Sequence, residues 1–272
     1  MNLVEADKHA IVSSLIGHFS GSLPEDQLPP DVVSSLSSDL AESGLLRKEL
    51  IAFWKILGVG MDAAHYKLPV DSEVKLLNLA CGPCFEGAVL SAFFGQPGKP
   101  GSPRNRVRFF GMDLRDREID KAERRYAATE ALFHRAGLPP VTEQDESRSR
   151  IEFFADDATR LIGYKQIPRS FDIIFLRHQN VWHDRPVWRK IFSFALSRLA
   201  SDGRLIITSY FDREHLIALE MIRRLGGHLL TSRQNPDTVP LDCSGKSTDR
   251  HLAIFSREGT SGGNDPDLIH AP

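Results

Sequence analysis

The sequence predicts an α/β protein in which a helical cap over residues 1–70 precedes a doubly wound, mostly parallel seven-stranded sheet over residues 71–256. Three observations predict it. From residue 71, short apolar runs alternate five times with amphipathic stretches, the signature of buried parallel strands and crossover helices. Two further apolar runs follow with no helical stretch between them, as an antiparallel edge pair would. The first 70 residues carry only helical periodicity.

In the cap, Ile11, Leu15 and Phe19 recur every four residues, and Leu46, Leu50, Phe53, Trp54 and Leu57 recur at steps of three and four. Between them L-P-E-D-Q-L-P-P is a break, with Asp31 placed to cap the next helix. The five strands are read at 74–80, 107–112, 151–155, 171–176 and 204–209, and the edge pair at 227–232 and 250–256. Helical stripes lie between: Ile119, Ala122, Tyr126 and Phe133; then Trp188, Ile191, Phe192, Ala195 and Leu199 behind a cap at Asp184; then Leu216, Leu219 and Ile222 between Asp212 and Gly226-Gly227. Segments 96–106 and 138–150 read as exposed loops, and 257–272 as a disordered tail.

Composition narrows the function classes. Hydrophobic residues at 41% and charged residues at 26% describe a globular chain. A net charge of −2 gives no basic field to capture nucleic acid, and the basic stretch 104–125 holds five acids among its eight Arg and Lys. No apolar run approaches the roughly 20 residues of a membrane span. The start M-N-L-V-E-A-D-K lacks a basic n-region and an apolar stretch, so a cytoplasmic location is expected. Three cysteines are too few for a disulfide scaffold.

Ligands of open α/β sheets bind beyond the carboxyl ends of the strands. After the first strand, A-C-G-P-C-F-E-G (80–87) opens a helix, and Gly82 permits close backbone approach. After the second, Asp113 is placed to accept the hydroxyls of a ribose; after the third, A-D-D-A (155–158) offers an acid to an adenine amino group. After the fourth, L-R-H-Q-N-V-W-H-D (176–184) is dense in polar and aromatic groups. His178 and His183 are the candidates for removing an acceptor's proton. Phe53, Trp54, His65 and Tyr66 are candidates to roof the pocket, and Tyr210 to line it.

This ordered set resembles the class I S-adenosylmethionine-dependent methyltransferases over residues 71–256, and within them it is similar to the chemotaxis-receptor type. The matching segments are A-C-G-P-C-F-E, G-M-D-L (111–114), F-D-I-I-F-L-R-H-Q-N-V-W and L-A-S-D-G-R-L (199–205). The resemblance implies a Rossmann-like core and S-adenosylmethionine as cofactor. It implies a backbone cradle at Ala80, Cys81 and Gly82, with Asn78 near the place where most members carry an acid. Glu86 would hold the cofactor's ammonium, Asp113 the ribose and Leu114 the adenine face. Asp157 would meet the adenine amino group beside Ala158, and Arg177 and His178 would flank the methyl donor. The acceptor would be a small molecule or a protein side chain, with neither membrane nor nucleic acid as partner. The receptor-glutamate substrate does not transfer, because residues 1–70 are acidic by four where the receptor enzymes carry a basic domain.

Cys81-Gly82-Pro83-Cys84 is also the C-G-P-C of dithiol oxidoreductases, at the mouth of a helix that would lower the first thiol's pKa. The tryptophan common before that motif is absent, since Ala80 stands there. A dithiol oxidoreductase and a non-catalytic nucleotide-binding domain are the alternatives. A metal site from Cys81, Cys84 and Cys243 lacks a companion pair of ligands.

Overall fold

The computed structural model describes residues 3–20, 30–70, 72–98, 104–136, 149–159 and 167–257. Much of the expected loops at 96–106 and 138–150, and all but the first residue of the expected tail, lie outside these residues.

Three helices come first: α1 (Leu3–Ser20), α2 (Pro30–Glu42) and α3 (Lys48–Ala63). Asp31 lies inside α2, one residue past its start, so the helix opens at Pro30. The core then runs β1 (Glu73–Leu79), α4 (Gly87–Phe94), β2 (Arg106–Asp113), α5 (Asp116–Arg135), β3 (Arg150–Ala155), β4 (Phe171–Arg177), α6 (Arg185–Arg198), β5 (Leu199–Ser209), α7 (Asp212–Arg224), β6 (Gly227–Gln234) and β7 (His251–Arg257). The sheet order is β3-β2-β1-β4-β5-β7-β6. The first five strands pair in parallel, and β7 pairs antiparallel with β5 and β6. This is the seven-stranded, doubly wound architecture that the alternation predicts.

Each central strand is apolar on both faces because each face has its own helical layer. Leu76, Phe109, Ile173 and Ile254 pack with α1, α3, α4 and α5 in one core. Their strand neighbours Leu77, Phe110, Ile174 and Phe255 pack with α6 and α7 in the other. Helix α3 lies so close to the sheet that a Cβ on Gly60 would fall 2.5 Å from Leu252. The cap therefore shares one hydrophobic core with the sheet.

Two boundaries differ from expectation. Asp184 does cap α6, accepting the Val187 N–H at 3.2 Å, but that helix ends at Arg198 and Leu199 already belongs to β5. Helix α7 begins after Phe211 without a side-chain cap; Asp212 turns instead to Arg250 and His251.

Candidate active site

The order of the sheet reverses between β1 and β4, the switch point at which an open sheet leaves a crevice beyond its carboxyl ends. A cleft of about 430 Å³ lies there. Its walls are the turn after β1 (Ala80–Pro83 and Glu86), Arg177 and His178 at the end of β4, Tyr210 after β5, Thr248 from the β6–β7 loop, and Arg47, Glu49 and Leu50 at the start of α3. A larger groove of about 990 Å³ runs between α6 and α7. None of the sequence-predicted site residues lines it.

The turn after β1 is strained in a directed way. Ala80, Gly82 and Cys84 have φ of 54°, 55° and 45°. Left-handed backbone costs a residue with a Cβ about 1 kcal/mol, so the surroundings must hold it. They do: Cys81 N–H bonds the Met112 carbonyl at 2.9 Å, and Gly82 N–H bonds Asp113 Oδ2 at 2.9 Å. The space outside Gly82 is open, since a Cβ there would meet only the end of Arg115, at 3.6 Å. The ends of β1 and β2 thus meet at one point. That of β3 joins them, because Asp156 N–H bonds the Asp113 carbonyl at 2.9 Å.

Beside the turn, four side chains interlock. Arg177 donates to Glu86 Oε2 at 3.1 Å and to both carboxylate oxygens of Asp249 at 3.0 and 2.6 Å. Glu86 Oε1 accepts from Asn78 at 2.7 Å. His178, at φ 58°, stacks on Tyr210 with ring centroids 3.7 Å apart. Its Nε2 lies 2.9 Å from the Asp249 backbone nitrogen and 3.0 Å from Asp249 Oδ1. Burial favours the neutral forms of these groups. For Asp249 that push is overcome by the Arg177 charge and by His178, which hold its carboxyl far below the usual range. For Arg177 the two carboxylates likewise outweigh burial and raise its pKa. For His178 burial wins and its pKa is lowered.

The other sequence-predicted residues divide. Asp113 is 4% exposed; burial pushes its pKa up, but hydrogen bonds from the Arg115 side chain and from the N–H groups of Arg115 and Gly82 hold it below its ordinary value. Leu114 stands 71% exposed at the end of β2. Asp157 accepts the N–H of Thr159 at 2.8 Å, and Ala158 is buried in the core on the α6–α7 face.

Two expectations need correction. His183 is exposed, on a turn whose N–H bonds Asn180, and it does not line the cleft. The chain buries Val181 there, which turns the histidine outward. His178 does line the cleft, but its Nε2 is occupied by Asp249, lying 2.9 Å from the backbone nitrogen and 3.0 Å from carboxylate Oδ1, so that atom is turned away from an acceptor. The aromatic roof also differs. Phe53 lies beneath the cleft, against Phe175 and Arg177; Trp54 meets Phe93, and Tyr66 meets Phe94. Arg47, Glu49 and Leu50 form that wall instead. Sequence reasoning missed Asp249 and Arg115. Asp249 gives no local signal, since its partner Arg177 is 72 residues away. Arg115 could have been found as a base two residues after Asp113.

Both turn cysteines are free and buried. Burial, then its hydrogen bond with Cys81, pushes the Cys84 thiol well above the ordinary thiol range, which disfavours dithiol exchange. Cys243 is exposed in the β6–β7 loop. No group of three or more metal-ligating side chains forms among the described residues.

No protein-family model matches the sequence, and no curated protein matches it. Solved structures do resemble it. One is a TehB-like S-adenosylmethionine-dependent methyltransferase from Corynebacterium glutamicum, 18% identical, over 75% of this chain and 96% of that one, with a TM-score of 0.43. Another is the N-methyltransferase NodS from Bradyrhizobium japonicum, 13% identical, over 75% and 92%, with a TM-score of 0.47. A third is an S-adenosylmethionine-dependent methyltransferase from Clostridium acetobutylicum, 12% identical, over 76% and 92%, with a TM-score of 0.47. None of these three is a chemotaxis-receptor enzyme. No helix among the described residues is long and apolar enough to cross a membrane.

Proposed function

We propose that this protein is an S-adenosylmethionine-dependent methyltransferase whose cofactor lies across the carboxyl ends of β1, β2 and β3. The observation that carries this reading is the bond from Gly82 N–H to the Asp113 carboxylate. It draws a left-handed turn, open on its outer side, and a buried acid to one point beside the switch-point cleft. A backbone cradle next to a hydroxyl-binding carboxylate suits the amino-acid and ribose portions of one adenosyl ligand.

In this reading the chain positions rather than reacts. Ala80, Cys81 and Gly82 receive the methionine portion. Glu86, steadied by Asn78 and Arg177, faces the ammonium. Asp113 turns from Arg115 toward the ribose hydroxyls, Leu114 closes over the adenine and Asp157 meets its amino group. The bound cofactor supplies an already electrophilic sulfonium methyl. His178 and Tyr210 then form the wall past which an acceptor must approach, and alignment there supplies the rate. The acceptor is a small molecule or a protein side chain.

Ultraviolet cross-linking with methyl-tritiated S-adenosylmethionine tests this. Label is expected on peptides containing residues 80–87 or 113–115 and should be competed away by S-adenosylhomocysteine. Label that is scattered, or indifferent to competitor, contradicts it.

A further inference from the structure

We propose that Asp249 is a positioning residue that gives the cleft a charge preference: with Glu86 and Arg177 it forms a buried cluster of net charge −1, which favours a positively charged adenosyl ligand over its neutral counterpart. The inference rests on the methyltransferase reading and deepens it.

The charge count follows from geometry. Glu86 and Asp249 are 3% and 1% exposed, and both pair with the single guanidinium of Arg177. His178 adds no charge: burial lowers its pKa and keeps the ring neutral, although its Nε2 lies 3.0 Å from Asp249 Oδ1. One negative charge is left over, and Glu86 and Arg177 present it to the cleft wall. Three cations nearby are engaged with other groups. Arg47 pairs with Glu49 at the rim, Arg125 lies over the Phe85 ring, and Lys246 lies over Tyr210. Arg125, partly buried, bonds the Pro83 carbonyl rather than either carboxylate, and the half-exposed Arg47 is screened by solvent.

S-adenosylmethionine and S-adenosylhomocysteine share every group except the sulfonium methyl, so the two differ by one positive charge. A charge pair about 8 Å apart at an effective dielectric constant of about 20 is worth roughly tenfold in affinity or more. Such a preference would also help release the neutral product after transfer. Asp249 acts through Arg177 and His178 and lines no part of the cleft itself.

Isothermal titration of the full chain with S-adenosylmethionine, S-adenosylhomocysteine and sinefungin, whose amine restores a positive charge near the sulfonium position, tests this. The wild type is expected to bind the two cationic ligands about tenfold more tightly than S-adenosylhomocysteine. In Asp249→Asn the gap should shrink to about twofold. Equal or tighter binding of S-adenosylhomocysteine by the wild type overturns the proposal without any variant. A folded Asp249→Asn that weakens all three ligands equally overturns it too, since that is the result of a merely structural role. If the wild type binds none of the three, the methyltransferase reading itself fails and this inference falls with it.

Discussion

On the β1–β4 side of the cleft the charged side chains are already engaged: Glu86 with Asn78 and Arg177, Arg177 with Asp249, and His178 with the Asp249 backbone. On the β2–β3 side Leu114 is 71% exposed, and Asp157 spends its carboxylate on the Thr159 N–H. Asp113 stands at the border, tied to Gly82 on one side and to the largely exposed Arg115 on the other. The contrast assigns work to each half. Buried ion pairs cross-linked by short hydrogen bonds hold one geometry, so the first half is preorganised. The second half leaves Leu114 in solvent, and under the proposed function it would close only over a bound ligand.

The strongest way to break this comparison is to remove the central cation. Arg177→Met strands two buried carboxylates, and removing one partner from a buried ion pair costs about 3–5 kcal/mol. Denaturant unfolding should show a loss of that size; wild-type stability would mean that the first half is not locked at all.

A smaller effect is expected beneath Tyr210. Glu214 accepts the Tyr210 N–H at 2.8 Å. Burial lifts its pKa from 4.5 to about 7, against the pull of the N–H groups of Tyr210 and Phe211 and of the Lys246 charge. Between those two values the folded state keeps a proton that the unfolded chain releases. Stability therefore falls as pH rises through that window, and the full penalty applies above pH 7. Glu214→Gln keeps an acceptor and removes the charge, so it should flatten the slope and stabilise the protein at pH 8 by about 2 kcal/mol. Thermal melts across pH 5–8 would show it; an unchanged slope counts against a buried acid here.

Ala80→Gly sharpens the comparison at the turn. It relieves the left-handed strain at φ 54° but loosens the unfolded chain, so stability should change by less than about 1 kcal/mol, in the stabilising direction. A clear loss of stability would mean that the alanine methyl itself packs there. Leu114→Ala should be smallest: stability within about 0.5 kcal/mol of wild type, as for exposed positions, with a few-fold loss in S-adenosylmethionine affinity. A large stability loss would place Leu114 in the core rather than at an open edge.

Much of this frame is legible in the sequence, for physical reasons that also mark where legibility ends. Strands buried on both faces write themselves as runs such as V-K-L-L-N-L and F-D-I-I-F-L, so β1, β4 and their order of appearance can be read directly. The start of β5 cannot, because A-S-D-G is polar and belongs to the strand only through its pairing with Phe171. The turn at Gly82 and the acid at Asp113 are readable because strand tips are where α/β sheets gather ligands. Asp249 is not, since its role arises only when β7 folds back beside β5 and carries the preceding loop to Arg177. The aromatic spacing of Phe53, Trp54 and Tyr66 announces packing without saying against what, and it is the sheet and α4 that they meet. His183 drew notice from a polar run that Val181, buried two residues earlier, turns away from the cleft.

Isothermal titration of S-adenosylmethionine into the wild type and into Asp113→Ala tests the central claim most directly. Micromolar one-to-one binding by the wild type, lost at least tenfold in a variant that still melts cooperatively, is the predicted result. No binding by the wild type, or equal binding by a folded Asp113→Ala, would contradict the claim that the ends of β1 and β2 close on one adenosyl ligand.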